Sequence, residues 1–438
     1  MKLVTAIFVI TLICGLSVTG GAEQIRLTVS APKADSFDAP VHAVIKLPER
    51  LAKLPVEEIS VELSPQSYGL LTEDALRRDA GTNQTVPGQF VVTGRRETEL
   101  WWILPRAKAN RPSTWVATIK RERKTDGEVF SWKGRNGEYL DLLFNGRKVA
   151  RYMYACDASN PQRIFETYKP FLHVFDAEGK NLLTNGPDGV HSYQKDKIRY
   201  PHHRGIFIGW TKLEFAGNTY SFWGMGGGVV QRHQKFLEQT AGPVLAKSKA
   251  LIHWNDKDGK PIIAERRQTT VFRQSGPTIL LLDFQTQLKA VRGEVFLNGD
   301  PEHGGFQYRA HNDVAAGDEE VKAAYLFHKD GIDAHKDKDL PWAAMSYGLN
   351  GRRYCVQHMN HPGNPKSTFY SAYRDYGRFG AFFKQKIDAG ETLTLRYRIW
   401  IGEGKPAVGW AGKMRRRREL ANRYSAFAQG PKVEGLKQ

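Results

Sequence analysis

From Tyr139 to Ile401 the sequence alternates apolar and polar residues in short segments broken by Gly, Pro, Asn and Asp, with few stretches of helical period. Segments such as Tyr139–Phe144, Lys148–Tyr154, Gly205–Leu213, Gly228–Leu237, Thr278–Leu288, Phe306–Arg309, Tyr354–Met359 and Thr392–Ile401 each read as one strand. Strands that follow one another without helices between them do not build a doubly wound α/β sheet. They predict a large antiparallel two-sheet sandwich. Residues 24–125 repeat the pattern on a smaller scale: Ile25–Ser30, Val41–Leu47, Ile59–Leu63, Gln89–Thr93, Glu99–Leu104 and Thr114–Lys120 read as the strands of a small immunoglobulin-like sandwich. The charged run Arg121–Gly127 separates the two regions. A single helix is expected at Ala411–Phe427, with Met414, Leu420, Ala421 and Tyr424 at helical spacing and Arg415–Arg418 toward solvent. The chain thus reads as all-β in four parts: residues 1–22, 23–125, 128–405 and a C-terminal helix and tail over 406–438.

The first part reads as a signal peptide. Lys2 precedes the apolar run Leu3–Val18, and Gly20-Gly21-Ala22 supplies small residues for cleavage before Glu23. The mature chain is therefore expected to be exported, to the periplasm or the medium. No later stretch approaches the ~20 apolar residues that span a bilayer. Cleavage leaves Cys156 and Cys355, which an oxidising compartment would allow to pair. The net charge of +18 draws polyanions. Nucleic-acid motifs are absent, which leaves acidic glycan, an anionic envelope or simply a solvated basic surface.

Polar side chains gather in a few places. In Tyr200-Pro-His-His-Arg-Gly205 an extended backbone would turn His202 and Arg204 one way and His203 the other. A neutral imidazole takes a proton and a guanidinium holds an anion, so the triplet suits proton transfer beside a negative group. The glycine-rich run Phe222–Gly228 carries Trp223 and leads to His233. The loop His361-Pro-Gly-Asn364-Pro excludes regular structure. The segment Tyr370–Arg378, with Tyr373, Arg374 and Tyr376, could make a sugar platform with a carboxylate clamp. Each has a plain structural alternative: a hydrogen-bonded corner, a hairpin or a sandwich corner. His311 and Asp313, followed by His358 or His361, spell a non-haem iron ligand set, with His361 the preferred third ligand. Such short patterns are cheap in a chain with 13 His, so the main expectation is no metal and no other cofactor. Gly-x-Ser-x-Gly and His-Glu-x-x-His are absent. Nothing ranks Glu166, Asp196, Glu265, Asp283 and Glu302 into a glycosidase pair.

Taken in order, Tyr168-Lys-Pro-Phe171, Tyr200-Pro-His-His-Arg-Gly205, Ser221-Phe-Trp223, Val230-Gln-Arg-His233, His361-Pro-Gly-Asn-Pro365 and Tyr373-Arg-Asp-Tyr-Gly377 resemble the motifs of a secreted bacterial family known as methane oxygenase PmoA-like. The resemblance covers about residues 130–405, and Pro-His-His-Arg-Gly is its most specific part. Arg199-Tyr200 stand where the family tends to have Asp-His. A membrane oxygenase is built from spanning helices, and this chain has none after its signal segment. The resemblance implies instead the sugar-binding β-supersandwich of mutarotases and several polysaccharide lyases, a likeness of fold that does not fix function.

These readings converge on an exported carbohydrate-active enzyme, a lyase, epimerase or hydrolase. His202, His203 or His233 would act as acid or base, with His361 as a further loop candidate. Arg204, with Arg374, would neutralise a uronate or an enolate-like intermediate. Trp210, Trp223, Tyr373, Tyr376 and Asn364 would line the glycan. The alternatives are a non-catalytic glycan- or envelope-binding protein and a metal oxygenase.

Overall fold

A computed structural model describes residues 18–19, 22–47, 49–67, 85–92, 98–122, 128–404, 409–429 and 433–435; most of the expected signal segment lies outside them. The chain divides into two compact units, one of residues 1–129, 242–245 and 425–438, the other of residues 130–241 and 246–424.

The first unit is a β-sandwich. Its strands run in the order Val18–Thr19, Ala22–Val29, Ser113–Arg121, Ile59–Ser67, Val86–Val92, Thr98–Ala107 and Ser36–Ile45, with Val433–Gly435 beside Ala22–Val29. Each of the six expected strands overlaps an observed one. Alternation puts Ile25, Leu27 and Val29, then Leu100, Trp102 and Leu104, then Trp115, Ala117 and Ile119 into one core. The strand Val86–Val92 pairs with Ile59–Ser67 only at its start and with Thr98–Ala107 from Gly88 onward. A side chain at Gly88 would meet Leu63 Cδ1 at 2.7 Å and Val61 Cγ1 at 2.8 Å, so a larger residue where the strand changes partners would have to push core side chains aside.

The second unit holds two eight-stranded antiparallel sheets and a small four-stranded one. One large sheet runs Phe369–Tyr370, Arg378–Phe382, Gly304–Arg309, Ile206–Trp210, Phe171–Val174, Arg147–Met153, Tyr139–Phe144, Phe130–Arg135. The other runs Val230–Ala241, Leu245–Asn255, Pro261–Phe272, Thr278–Ala290, Thr392–Glu403, Arg352–Asn360, Trp342–Leu349, Ala324–Phe327. The fold is all-β, as the alternation required. Ile206, Ile208, Phe306, Tyr308, Phe379 and Ala381 of the first sheet share the main core with Leu280, Leu282, Phe284, Val356, Ile399 and Ile401 of the second.

The register of the first sheet decides what its other face carries. Phe306 pairs with Ala381 and Tyr308 with Phe379, so Gln307 pairs with Gly380 and Arg309 with Arg378 on the opposite face. Phe207 joins that face opposite Gln307, and Phe171 and His173 continue it along the next strand. Met153, Phe171, Phe207 and Trp223 form a second apolar cluster there. Among the described residues, the second unit's sequence also forms two short helices, Pro161–Thr167 and Asn312–Ala316, which the sequence reading does not anticipate, and most of the helix Gly409–Gln429, which contains the one it does. Among the described residues no helix is long and apolar enough to cross a membrane. Cys156 and Cys355 are both free thiols.

Candidate functional site

The Pro-His-His-Arg-Gly segment is a turn, so the extended alternation expected of it does not apply; the strand begins only at Ile206. Tyr200 enters the turn with φ of 57°, a left-handed conformation that is strained for an aromatic residue. Asn185 fixes the exit: its side-chain amide donates to His203 O at 2.7 Å, and its carbonyl accepts from Gly205 N at 2.7 Å. Gly205, at φ of 43°, has Leu172 O only 2.1 Å from where a Cβ would stand. The glycine of the motif is therefore needed for the chain to pass its neighbouring strand.

His203 is 3% exposed, and neither ring nitrogen has a hydrogen-bond partner. Its ring lies among four others. Tyr200 stacks at 5.4 Å, Tyr376 is near-parallel at 6.0 Å, Trp223 approaches edge-on at 5.3 Å and His202 at 4.3 Å. Burial, with the charges of His202, Arg378, Arg309 and Lys169, holds the imidazole well below its usual pKa, so it is neutral at pH 7. Burial and nearby Lys169 bring His202 down to about 3.

Trp223 is the centre of the cluster. Its indole Nε1–H is buried and unpartnered. Its carbonyl accepts from Lys169 Nζ at 2.7 Å. Lys169 Nζ and Arg378 Cζ each lie 5.9 Å from the indole ring, and His303 approaches it at 6.2 Å. At Gly224, Gly226 and Gly227 an added Cβ would meet nothing within 4 Å, so the chain beyond Trp223 borders open space.

Three buried cations surround these rings, and each is held by neutral groups. Arg378 donates through Nε and Nη2 to the Tyr376 hydroxyl, at 3.1 and 2.9 Å, and through Nη1 to Gln307 Oε1 and Ser371 Oγ, at 3.1 and 2.7 Å. Arg309 donates to the carbonyls of Tyr376 and Arg199, and its buried Nε has no partner. Burial brings Arg309 down to about 10. Lys169, 1% exposed, is pushed well below the usual lysine range by burial and by Arg204. Among the described residues no carboxylate forms an ion pair with any of the three. Glu302, at the mouth, feels the charge of Arg378, but Arg374 holds it through Nη2 at 2.7 Å and Nε at 3.2 Å.

The structure gathers only some of the expected residues. His202, His203, Trp223 and Tyr376 converge, with Arg374 and Tyr373 at the rim, where Tyr373 stacks on His335 at 3.9 Å. Arg204 is turned away to support the helix Pro161–Thr167. It donates to Glu166 O at 3.0 Å and to Phe165 O, and its guanidinium covers the Tyr168 ring at 3.9 Å. Arg378 stands where Arg204 was expected. Trp210 lies in the main core with Nε1 donating to Phe383 O at 3.1 Å, because it alternates in phase with Ile206 and Ile208. His233 belongs to a separate ring cluster with Tyr152, Tyr154 and Phe236. His361 accepts from Gly363 N at 3.0 Å, and Asn364 ties its loop to Asn360 and Arg396, so both shape a loop. His311 and Asp313 pair at 3.3 Å, yet among the described residues no three His, Cys, Asp or Glu side chains gather to hold a metal. The iron triad with His361 is not assembled.

Lys169, Arg309 and His303 received no role from the sequence. Arg309 alternates with Gln307 on a strand whose other face is Phe306 and Tyr308. That pattern was a signal, but which strand lies beside it was not.

Residues 139–412 match a family of unknown function, DUF6807, and the chain belongs to that family. No curated protein matches the chain. Among solved structures, an uncharacterised Listeria monocytogenes protein crystallised with glucose, magnesium and calcium aligns at 11% identity and a TM-score of 0.20, over 86% of this chain and 30% of that one. A second structure of the same Listeria protein aligns at 10% identity and the same TM-score. Likeness at that level carries no argument about structure or function.

Proposed function

We propose that the protein is an exported carbohydrate-active enzyme that moves a proton on a glycan at the Trp223 site, as a lyase or epimerase. This accords with the resemblance to the secreted PmoA-like family. One observation carries the reading: His203 is a buried, neutral imidazole with both nitrogens unpartnered. A buried polar group without a partner destabilises the fold by about 1–3 kcal/mol, so its retention calls for a role. Neutral imidazole is the form a general base requires. In the reaction, His203 takes the proton from a sugar carbon next to an electron-withdrawing group. The electron pair left behind either expels the oxygen substituent on the neighbouring carbon, forming a double bond, or is reprotonated from the other face. The Tyr376 hydroxyl accepts from Arg378, which leaves its own proton free to be donated. Hydrolysis by paired carboxylates is less well supported, because Glu302 is already clamped by Arg374.

The test is turnover of polysaccharides by the purified protein, followed by reducing ends and by absorbance of unsaturated sugar, beside His203→Gln. An absorbance or epimer product that falls at least about a hundredfold in the variant is expected, the range for loss of a general base. Glycan binding without turnover would replace the enzyme by a binding protein. New reducing ends without unsaturation would indicate hydrolysis.

A further inference from the structure

We propose that the Trp223 cluster is a seat for the carboxylate of a sugar acid, so that the site takes hexuronate-bearing glycans. The proposal rests on the proton-transfer reading and names the electron-withdrawing group it needs.

A lysine carries three N–H groups, and Lys169 gives one to Trp223 O. The Trp223 indole N–H and the Arg309 Nε–H have no acceptor, and His203 has no partner at either nitrogen. Arg378 doubles two of its N–H groups onto one hydroxyl. The acceptors already engaged are hydroxyls, an amide and backbone carbonyls. The locus is rich in donors and poor in acceptors, and its charge is positive. Arg309 and Arg378 also stand directly opposite each other on adjacent strands, an arrangement of like charges that destabilises a sheet. Nearby, Lys169 lies 4.1 Å above the Phe207 ring, also without an acidic partner. Elsewhere in this unit three buried arginines meet acids, Arg151 with Asp141, Arg267 with Glu265 and Arg398 with Asp283, while Arg204 meets backbone carbonyls. A bound anion supplies what the Trp223 cluster lacks: acceptor oxygens for the indole and the lysine, and a countercharge for the cations.

The chemistry favours a carboxylate over a sulfate ester. A carboxylate on the sugar ring acidifies the C–H beside it, and its charge is what an abstraction next to it must neutralise. A sulfate ester puts an oxygen and a sulfur between the charge and the ring. The aromatic rim of Tyr200, 38% exposed, and the Tyr373–His335 stack suits sugar faces around the charge.

The experiment is calorimetric titration of the purified protein with trimers of galacturonate, mannuronate and glucuronate, with their carboxyl-reduced neutral counterparts, and with inorganic sulfate. At least one uronate should bind about tenfold or more tightly than its neutral counterpart and than sulfate, the size of one hydrogen bond to a charged group. Arg378→Gln should lose about ten- to hundredfold for that uronate. A neutral trimer bound as tightly as its acid overturns the carboxylate seat and leaves the glycan reading standing. Sulfate bound as tightly as every uronate overturns the sugar-acid assignment. Binding of no trimer overturns both.

Discussion

Two buried polar clusters in the second unit answer the same problem in opposite ways. At Glu265 the network is closed. The carboxylate accepts from Arg267 Nε and Nη2 at 2.7 and 2.9 Å, from Trp254 Nε1 at 2.8 Å and from Thr286 Oγ1 at 2.9 Å, while Arg267 Nη1 donates to Pro170 O at 3.0 Å. At Trp223 the network is open: an indole, an imidazole and a guanidinium nitrogen are buried with nothing to bond. The histidines repeat the contrast. His358 Nε2 donates to Phe306 O at 3.2 Å and its Nδ1 meets the Tyr370 hydroxyl at 3.1 Å. His173 meets Thr184 Oγ1 at 2.9 Å and Pro187 O at 3.1 Å. His203 meets neither donor nor acceptor. Depressed pKa values do not separate these residues, since burial lowers His173 to about 4 and His358 to about 3 as well. Hydrogen-bond satisfaction does separate them: a closed network holds a fold, and an open one is left for something that arrives.

The largest effect that would sharpen the contrast is Glu265→Ala. It strands Arg267 in the core and should destabilise by about 3–5 kcal/mol, read by urea unfolding. A loss under about 1 kcal/mol would erase the distinction between closed and open clusters. Next is a matched pair of ring replacements. His358→Phe takes from Phe306 O its imidazole donor and from the Tyr370 hydroxyl one of its two partners, and should lose about 1–3 kcal/mol, whereas His203→Phe strands nothing, removes an unsatisfied polar ring and should leave stability unchanged or raised by up to about 3 kcal/mol while abolishing turnover. Equal destabilisation by the two would break the comparison.

The smallest effect is a slope in pH. Both His202 and His203 have folded pKa values below the ~6.5 of an unfolded histidine. Below that value the unfolded chain binds protons the folded chain refuses, so stability is lost as pH falls from about 6.5 toward 3. Each such histidine contributes at most about 1.4 kcal/mol per pH unit. Unfolding midpoints of His203→Phe should therefore decline less steeply between pH 7 and 5 than those of the unaltered protein. Parallel slopes would mean that His203 is not held neutral.

What was legible in the sequence followed from local periodicity. Alternation marked the strands of both units, and the apolar spacing around Leu420 marked the long helix. The Pro-His-His-Arg-Gly segment and Trp223 could be singled out because turn formers bracket polar or aromatic residues there. Alternation does not say which face meets the core. Trp210 and Trp223 look alike as a sequence, yet the register of Ile206–Trp210 sends Trp210 inward, and the connection after Phe222 leaves Trp223 on the opposite face. Arg204 looked catalytic until the helix Pro161–Thr167 presented its carbonyls to it.

The sequence by itself determined an all-β chain of two regions with one long helix, because side chains alternate along every strand whatever the strand pairs with. Only the tertiary structure decided the site. Arg309 and Arg378 are far apart in the chain and become neighbours through strand pairing. Lys169 reaches the carbonyl of Trp223 from 54 residues away in the chain, and whether a buried nitrogen has a partner depends on every element folded around it. Charge and hydrogen-bond satisfaction are properties of a place, and the place exists only once the sheets have formed.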